Sequence, residues 1–156
     1  MYTSLDAVNF SSIFNDKIKR LTTVLDNYQC HENNEPINDP DEFIKMIETR
    51  DPELIGFFEM LYQSMNPVSK NPTTLYNLKK KVMILCYQMA GLRNKQVTSA
   101  KKKIGLYLSS SGTSASTIDT LSNLGFTTTY KTVTREKKKI VKSHEKRLLE
   151  YLRNKV

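Results

Sequence analysis

Apolar residues recur at spacings of three and four through most of the chain, which is the periodicity of one face of an α-helix. The first stripe runs from Val8 to Tyr28, and a polar segment rich in Asn and Pro, residues 29 to 40, follows it as a loop. The pattern continues beyond this loop, so the sequence predicts an all-α protein, a multi-helix bundle with a C-terminal helix-turn-helix and a long last helix.

Pairs that contain proline predict where the middle helices begin. An Asp or Asn side chain accepts the free N–H groups of a first turn, and Pro needs no donor there. Asp39-Pro40 and Asp51-Pro52 each predict a helix start, and Asn66-Pro67 predicts the end of the second of these helices. Asn71-Pro72 opens another helix, which we expect to stop at Gly91. The segment ELIGFFEMLYQSM is apolar around most of its circumference, so it is either deep core or a partner-facing surface.

The stretch from residue 94 to 141 predicts three further elements. A helix over about 94 to 111 has Val97, Ala100, Ile104, Tyr107 and Leu108 on its inner side, and Gly112 ends it in a left-handed conformation. A short helix follows, with Ser116 and Asp119 resembling a capping box. Gly125 then turns the chain, with Phe126 filling the angle between the helices. The last helix begins near Thr129 or Tyr130.

The last helix has two different sides. Tyr130, Val133, Ile140, Val141, His144 and Leu148 line its inner side, while Lys131, Arg135, Lys138 and Lys142 recur on an outer side. A support helix, a Gly turn and a basic helix form the layout of a DNA-reading helix-turn-helix. Free N–H groups at the start of such a helix also attract phosphate oxygens.

This layout names candidate DNA-binding residues. The groove-facing candidates are Thr128, Thr129, Lys131, Thr132 and Arg135, and Arg135 is the best candidate for a guanine edge because its fork pairs with two acceptors. The phosphate-binding candidates are Lys101, Lys102, Lys103, Lys137, Lys138 and Lys139.

Charge divides the chain into two regions. Residues 1–66 hold 5 Lys/Arg and 12 Asp/Glu, a net charge of −7, and residues 67–156 hold 19 Lys/Arg and 4 Asp/Glu, a net charge of +15. We therefore expect an acidic helical subdomain over 1–66 and a basic helical region over 71–156, with the helix-turn-helix at about 94–142. The basic region favours a polyanion partner. Alternatively, the acidic region folds onto it and neutralises it.

Other classes of function find little support in the sequence. Cys30 and Cys86 form no C-x-x-C pair, and Cys86 has the setting of a buried apolar residue. We expect no secretory signal, no membrane span, no nucleotide-binding loop, no metal site and no cofactor. The basic region offers no set of converging carboxylates for metal-dependent strand cleavage. The chain is therefore expected to be non-enzymatic and intracellular, in the nucleus if it binds DNA.

The far end of the last helix needs a partner. A helix from Tyr130 to Lys155 is about 39 Å long at 1.5 Å per residue, too long for a helix-turn-helix core to cover. Its apolar stripe continues through Leu148, Leu149, Tyr151 and Leu152. It therefore packs on the acidic helices, on a second copy in a homodimer, or on a downstream domain of a larger parent protein of which this chain is a fragment.

Two segments resemble a known group of proteins: LCYQMAGLRNKQV, from Leu85, and IGLYLSSSGTSASTIDTLSNLGFTTTYKTVTREKKKI, from Ile104. They resemble repetitive uncharacterised fungal proteins, which are themselves similar to the N-terminal part of mobile-element, transposase-like proteins. The resemblance covers roughly residues 75–141 and implies a DNA-binding head of transposon origin, without catalytic residues. The main alternative is a helical protein-interaction module with a basic solvated face, and a third is RNA or anionic-membrane binding through charge alone.

Overall fold

A computed structural model gives the fold and describes residues 4–65, 67–68 and 71–155, with side chains from residue 9 onward. This part of the chain is built from α-helices, with short π-helical and 3-10 segments and no strand, so the prediction of an all-α protein is confirmed. The helices are α1 (Ser4–Asp26), α2 (Pro40–Arg50), α3 (Phe57–Ser64), α4 (Pro72–Arg93), α5 (Ser99–Ser110), α6 (Ala115–Asn123) and α7 (Tyr130–Arg153).

The chain forms two compact units, and the boundary along the sequence lies between Ser99 and Ala100. The first unit contains α1 to α4, and the second contains α6, α7 and all but the first residue of α5. In the first unit α4 packs against α1, α2 and α3. Its core is made of large apolar side chains from all four helices, including Leu21, Leu25, Phe43, Ile47, Phe58, Val82, Cys86 and Tyr87. Cys86 is completely buried, which confirms it as an apolar core residue, and this burial raises the pKa of its thiol to about 12.

Local capping explains two of the predicted helix starts. The Asp39 carboxylate accepts the N–H groups of Asp41 and Glu42, each at 3.0 Å, and Pro40 opens α2. Asn71 accepts the N–H of Thr74 at 2.8 Å ahead of Pro72, so α4 also begins as predicted.

The middle of the chain differs from the prediction in three places. Pro52 opens only a 3-10 turn, because Gly56 adopts φ +78° and α3 then begins at Phe57. Gly91 does not stop α4: it is buried inside the helix, which runs on to Arg93 and leaves Asn94 as its C-cap. The following helix therefore starts at Ser99 rather than near Asn94. Asn66, predicted to end the third helix, lies outside the described residues.

In the second unit, Gly112 and Gly125 follow α5 and α6 with φ of +83° and +84°, as predicted. The predicted capping box is wrong. Ser114 is the N-cap of α6 and accepts the N–H of Thr117 at 3.2 Å, which leaves Asp119 free for a different role. Among the described residues, no helix has the length and apolar character needed to cross a membrane.

Candidate nucleic-acid interface

The turn between α6 and α7 is held by its own backbone and by one threonine. The N–H of Gly125 donates to the carbonyl of Ser122 at 3.0 Å, and the N–H of Phe126 donates to the carbonyl of Leu121 at 2.9 Å. The buried Thr127 hydroxyl then donates to the carbonyl of Ile118 at 3.1 Å. Phe126, predicted to fill the angle between the helices, is instead 47% exposed, and Thr127 occupies the inner position. The chain therefore leaves this turn in a defined direction.

The first turn of α7 is capped by two side chains of the protein itself. Thr129 is the N-cap and its hydroxyl accepts the N–H of Thr132 at 3.3 Å. Asp119, on α6, accepts the N–H of Tyr130 at 2.8 Å. These two N–H groups are therefore satisfied within the chain, contrary to the expectation that the start of this helix offers free donors to a phosphate. Asp119 instead joins the two helices, a role that the sequence pattern did not reveal.

Close packing of α5 on α7 fixes the inner side of the last helix. Val133 is 1% exposed, and Ile118 and Gly105 are also buried. A Cβ placed on Gly105 would lie 2.7 Å from Val133 Cγ2, closer than carbon atoms can approach. Because Gly105 has no side chain beyond hydrogen, α5 can approach α7 closely. The opposite side of α7 faces solvent.

That opposite side carries a row of cations. Lys131, Arg135, Lys138 and Lys142 follow one another at steps of four, three and four residues, so they lie along one side of α7. All four are exposed, and none forms an ion pair with another of the described residues. We call Lys131, Arg135, Lys138 and Lys142 the cationic row.

The threonines predicted to bind DNA are placed less favourably for a DNA contact than the cationic row. The Thr128 hydroxyl oxygen is buried and has no hydrogen-bond partner among the described residues, and it points toward Gly105. The hydroxyls of Thr129 and Thr132 lie 3.1 Å apart and bond to each other. Of these three residues, only Thr129 is exposed, and its hydroxyl already caps α7. The three threonines therefore belong to the turn and the first turn of α7, where their hydroxyls are not available to DNA.

The lysines of α5 lie beside α7, and part of their positive charge is neutralised by a carboxylate of α7. Lys101, Lys102 and Lys103 are half-buried. Lys102 Nζ lies 3.7 Å from Glu136 Oε1, and Lys139 Nζ lies 3.0 Å from the same oxygen. The hydrogen bond from Lys139, together with the charge of Lys102, holds the pKa of the Glu136 carboxyl below its usual range. Lys102 therefore connects α5 to α7 through Glu136, which also pairs with Lys139 of its own helix. Lys101 is the better candidate for a phosphate contact from α5.

Replacing Glu136 by Gln tests this connection. We expect Glu136→Gln to lower the free energy of unfolding of the second unit by about 0.5–1 kcal/mol at pH 7, as for a partly exposed ion pair. Because the folded-state pKa is lowered, the advantage of the wild type is complete above the ordinary Glu pKa of about 4.3. It disappears as the pH falls through the lower folded value. Urea unfolding at pH 7, 5, 4 and 3 measures the difference, and a difference that stays constant down to pH 3 would contradict the assignment.

Among the described residues, His, Cys, Asp and Glu side chains form no group of three able to hold a metal ion. The imidazole of His31 lies near the carboxylate of Asp26, with 3.7 Å between His31 Nε2 and Asp26 Oδ2.

Comparison with known proteins adds nothing to this geometry. No protein-family model matches the chain, and neither the curated proteins nor the solved structures contain a match to it. The resemblance of residues 75–141 to mobile-element proteins therefore stays a prediction. A function has to be inferred from the side chains that the fold exposes.

Proposed function

We propose that α6, the turn at Gly125 and α7 form a helix-turn-helix that binds double-stranded DNA, with the first turns of α7 in the major groove. The cationic row carries the proposal. Three of its four members lie in the first three turns of a helix whose other side is packed against its own protein. A major groove about 12 Å wide admits one α-helix, and a helix with one packed and one cationic side suits this contact.

The three cations of the row in the first turns of α7 have different roles on this interpretation. Arg135 lies near the middle of the row, and its guanidinium pairs with the O6 and N7 acceptors of guanine. Lys131 and Lys138, one turn to either side, neutralise phosphates across the groove, and Lys101 on α5 adds a further phosphate contact. Thr128, Thr129 and Thr132 support the start of the helix and contribute little direct readout.

A mobile-element origin belongs to the same proposal. It rests on the resemblance of the segment from Ile104 to Ile140, since no comparison supports or contradicts it. The chain then acts as a non-catalytic DNA-binding head, or as the corresponding part of a larger transposase-like protein. A nuclear location follows from a DNA partner.

A groove in the first unit favours a second candidate function. Phe10, Ile13 and Phe14 of α1 and Ile55, Phe57 and Met60 in or next to α3 line a groove of about 210 Å³. Phe10, Ile13, Ile55 and Met60 are 43% to 67% exposed, although Phe10 and Ile13 belong to the first apolar stripe of the sequence, residues 8 to 28. Exposed apolar grooves of this kind mark protein contacts. A helical protein-interaction module is therefore the alternative, with this groove as its docking site.

Titration with duplex DNA at several salt concentrations separates these functions. The three phosphate contacts of Lys131, Lys138 and Lys101 predict that the logarithm of the association constant falls with the logarithm of the salt concentration with a slope of about −3. A duplex RNA of the same length and charge is the matched control, because its deep, narrow major groove excludes a helix. We expect at least about tenfold weaker binding to the RNA. Equal affinity would indicate attraction by charge alone, and no DNA binding at about 20 mM salt would favour the interaction module.

A further inference from the structure

Thr134 lies beside the cationic row, and its hydroxyl is already bonded to the helix. The Thr134 hydroxyl donates to the carbonyl of Tyr130 at 3.0 Å, one turn earlier in α7. This hydrogen bond turns the hydroxyl oxygen back along the helix. The methyl group is then the part of the half-buried Thr134 side chain that remains for a contact with another molecule.

Thr134 belongs to the same surface as the side chains that carry the proposed function. Tyr130, Thr134 and Lys138 follow one another at steps of four residues, so they form a row next to Lys131 and Arg135. All five residues line one depression of about 400 Å³ on the surface of α7. Tyr130 is 38% exposed, so its ring and the Thr134 methyl group give this surface an apolar part beside its cations.

This apolar part lies where a recognition helix reads bases. Helix-turn-helix proteins contact base edges with the N-terminal residues of that helix. Thr134 is the fifth residue of α7, and Arg135, the proposed guanine contact, is the sixth. The apolar residues farther along α7, each 51% to 61% exposed, lie beyond these turns; they are Ile140, Val141, Leu148, Leu149, Tyr151 and Leu152.

A methyl group in the major groove can recognise one of the four bases. The base edges in this groove present hydrogen-bond donors and acceptors, and thymine alone adds an apolar group, its 5-methyl group. A threonine whose hydroxyl is bonded to its own helix therefore matches thymine better than the other three bases.

We propose that Thr134 is a specificity-determining residue whose methyl group contacts the 5-methyl group of a thymine in the major groove. The inference rests on the proposed function, because it requires α7 to lie in that groove. Consecutive Cα atoms and successive base pairs have similar spacings, about 3.8 Å and about 3.4 Å. The thymine therefore lies within about two base pairs of the guanine that Arg135 contacts.

Removal of the thymine methyl group tests this contact. The probe is the duplex that the wild type prefers, selected from a pool of random sequences, with each thymine in turn replaced by uracil. Uracil keeps every hydrogen-bonding group of thymine and lacks the methyl group. At one position near the guanine, the replacement should weaken wild-type binding about threefold to fourfold, as expected for one buried methyl group.

Two substitutions of Thr134 separate its methyl group from its hydroxyl. Thr134→Ser keeps the hydroxyl and loses the methyl group, so it should bind the thymine and uracil duplexes equally. Thr134→Val keeps a methyl group and loses the hydroxyl, so it should retain the preference for thymine of about threefold to fourfold. Ser, Thr and Val have similar helix propensities, and circular dichroism confirms that the helices form in both variants.

The proposal fails in three cases. If uracil has no effect at any position of the preferred duplex, the protein contacts no thymine methyl group. If the uracil effect persists in Thr134→Ser, it comes from another residue or from the shape of the DNA. If Thr134→Val loses the preference and Thr134→Ser keeps it, the hydroxyl reads the base. A wild type that selects no duplex contradicts the proposed function and this inference with it, and that failure is seen before any uracil is introduced.

Discussion

Simultaneous replacement of Lys131, Arg135 and Lys138 by alanine should lower the affinity for duplex DNA at least about 100-fold at 50 mM salt. Each cation contributes a phosphate or base contact, and the loss of one base contact alone costs about 1–3 kcal/mol. The three side chains are exposed, so the substitutions leave the packing of α7 on α5 and α6 intact. Fluorescence anisotropy with a labelled duplex measures the loss, and circular dichroism confirms that the helices remain.

A control with the same change in net charge separates the cationic row from overall charge. Lys19, Lys45 and Lys95 are exposed lysines of the first unit, and their joint replacement by alanine should weaken binding less than about threefold. Equal losses in the two triple variants would show that net charge alone attracts DNA. Single substitutions refine the result: Arg135→Ala should change the order of preferred sequences, whereas Lys101→Ala should weaken all sequences alike. Lys101 serves better here than Lys102, because Lys102 pairs with Glu136.

Substitution of Gly105 by alanine should destabilise the second unit by about 1–3 kcal/mol, the usual cost of overpacking. The new Cβ would lie 2.7 Å from Val133 Cγ2, and a buried β-branched side chain has no other rotamer available without strain. This cost exceeds the gain of about 1 kcal/mol that alanine brings to a helix interior. Hydrogen exchange of the α7 amides in the second unit measures the effect separately from the first unit.

Two further variants test the cause of this destabilisation. Tyr107→Ala, at an exposed position of the same helix, changes helix propensity without a clash and should be nearly neutral. Val133→Ala removes the methyl group that Gly105→Ala would meet, so in that background Gly105→Ala should cost much less. Strictly additive losses in the double variant would contradict close packing between α5 and α7.

Features that depend on neighbouring residues were predicted well. Asp39 and Asn71 cap their own helices, and Gly112 and Gly125 take the left-handed conformation that follows a helix. In each case the stabilising hydrogen bond or backbone conformation lies within four residues, so the sequence contains all that is needed. Gly91 shows the limit of prediction from neighbouring residues. It is buried within α4, where packing stabilises the helix beyond the glycine.

Features that depend on distant residues were missed. Tyr107 was predicted to face inward but is exposed, and the α5 position in closest contact with α7 belongs to Gly105. Asp119 resembled part of a capping box, yet its carboxylate reaches the N–H of Tyr130, eleven residues later. Periodicity shows that a helix has an inner side, but the shape of the neighbouring helix decides which residues touch.

The sequence by itself determined that this chain is helical, where several of its helices begin, and that its basic residues collect in the C-terminal half. These properties follow from local hydrogen bonding and from composition. Only the tertiary structure decided which lysines are paired with acids, which threonines point inward and which part of α7 has no cover. Those answers depend on contacts between residues far apart in sequence, such as Gly105 with Val133 and Lys102 with Glu136.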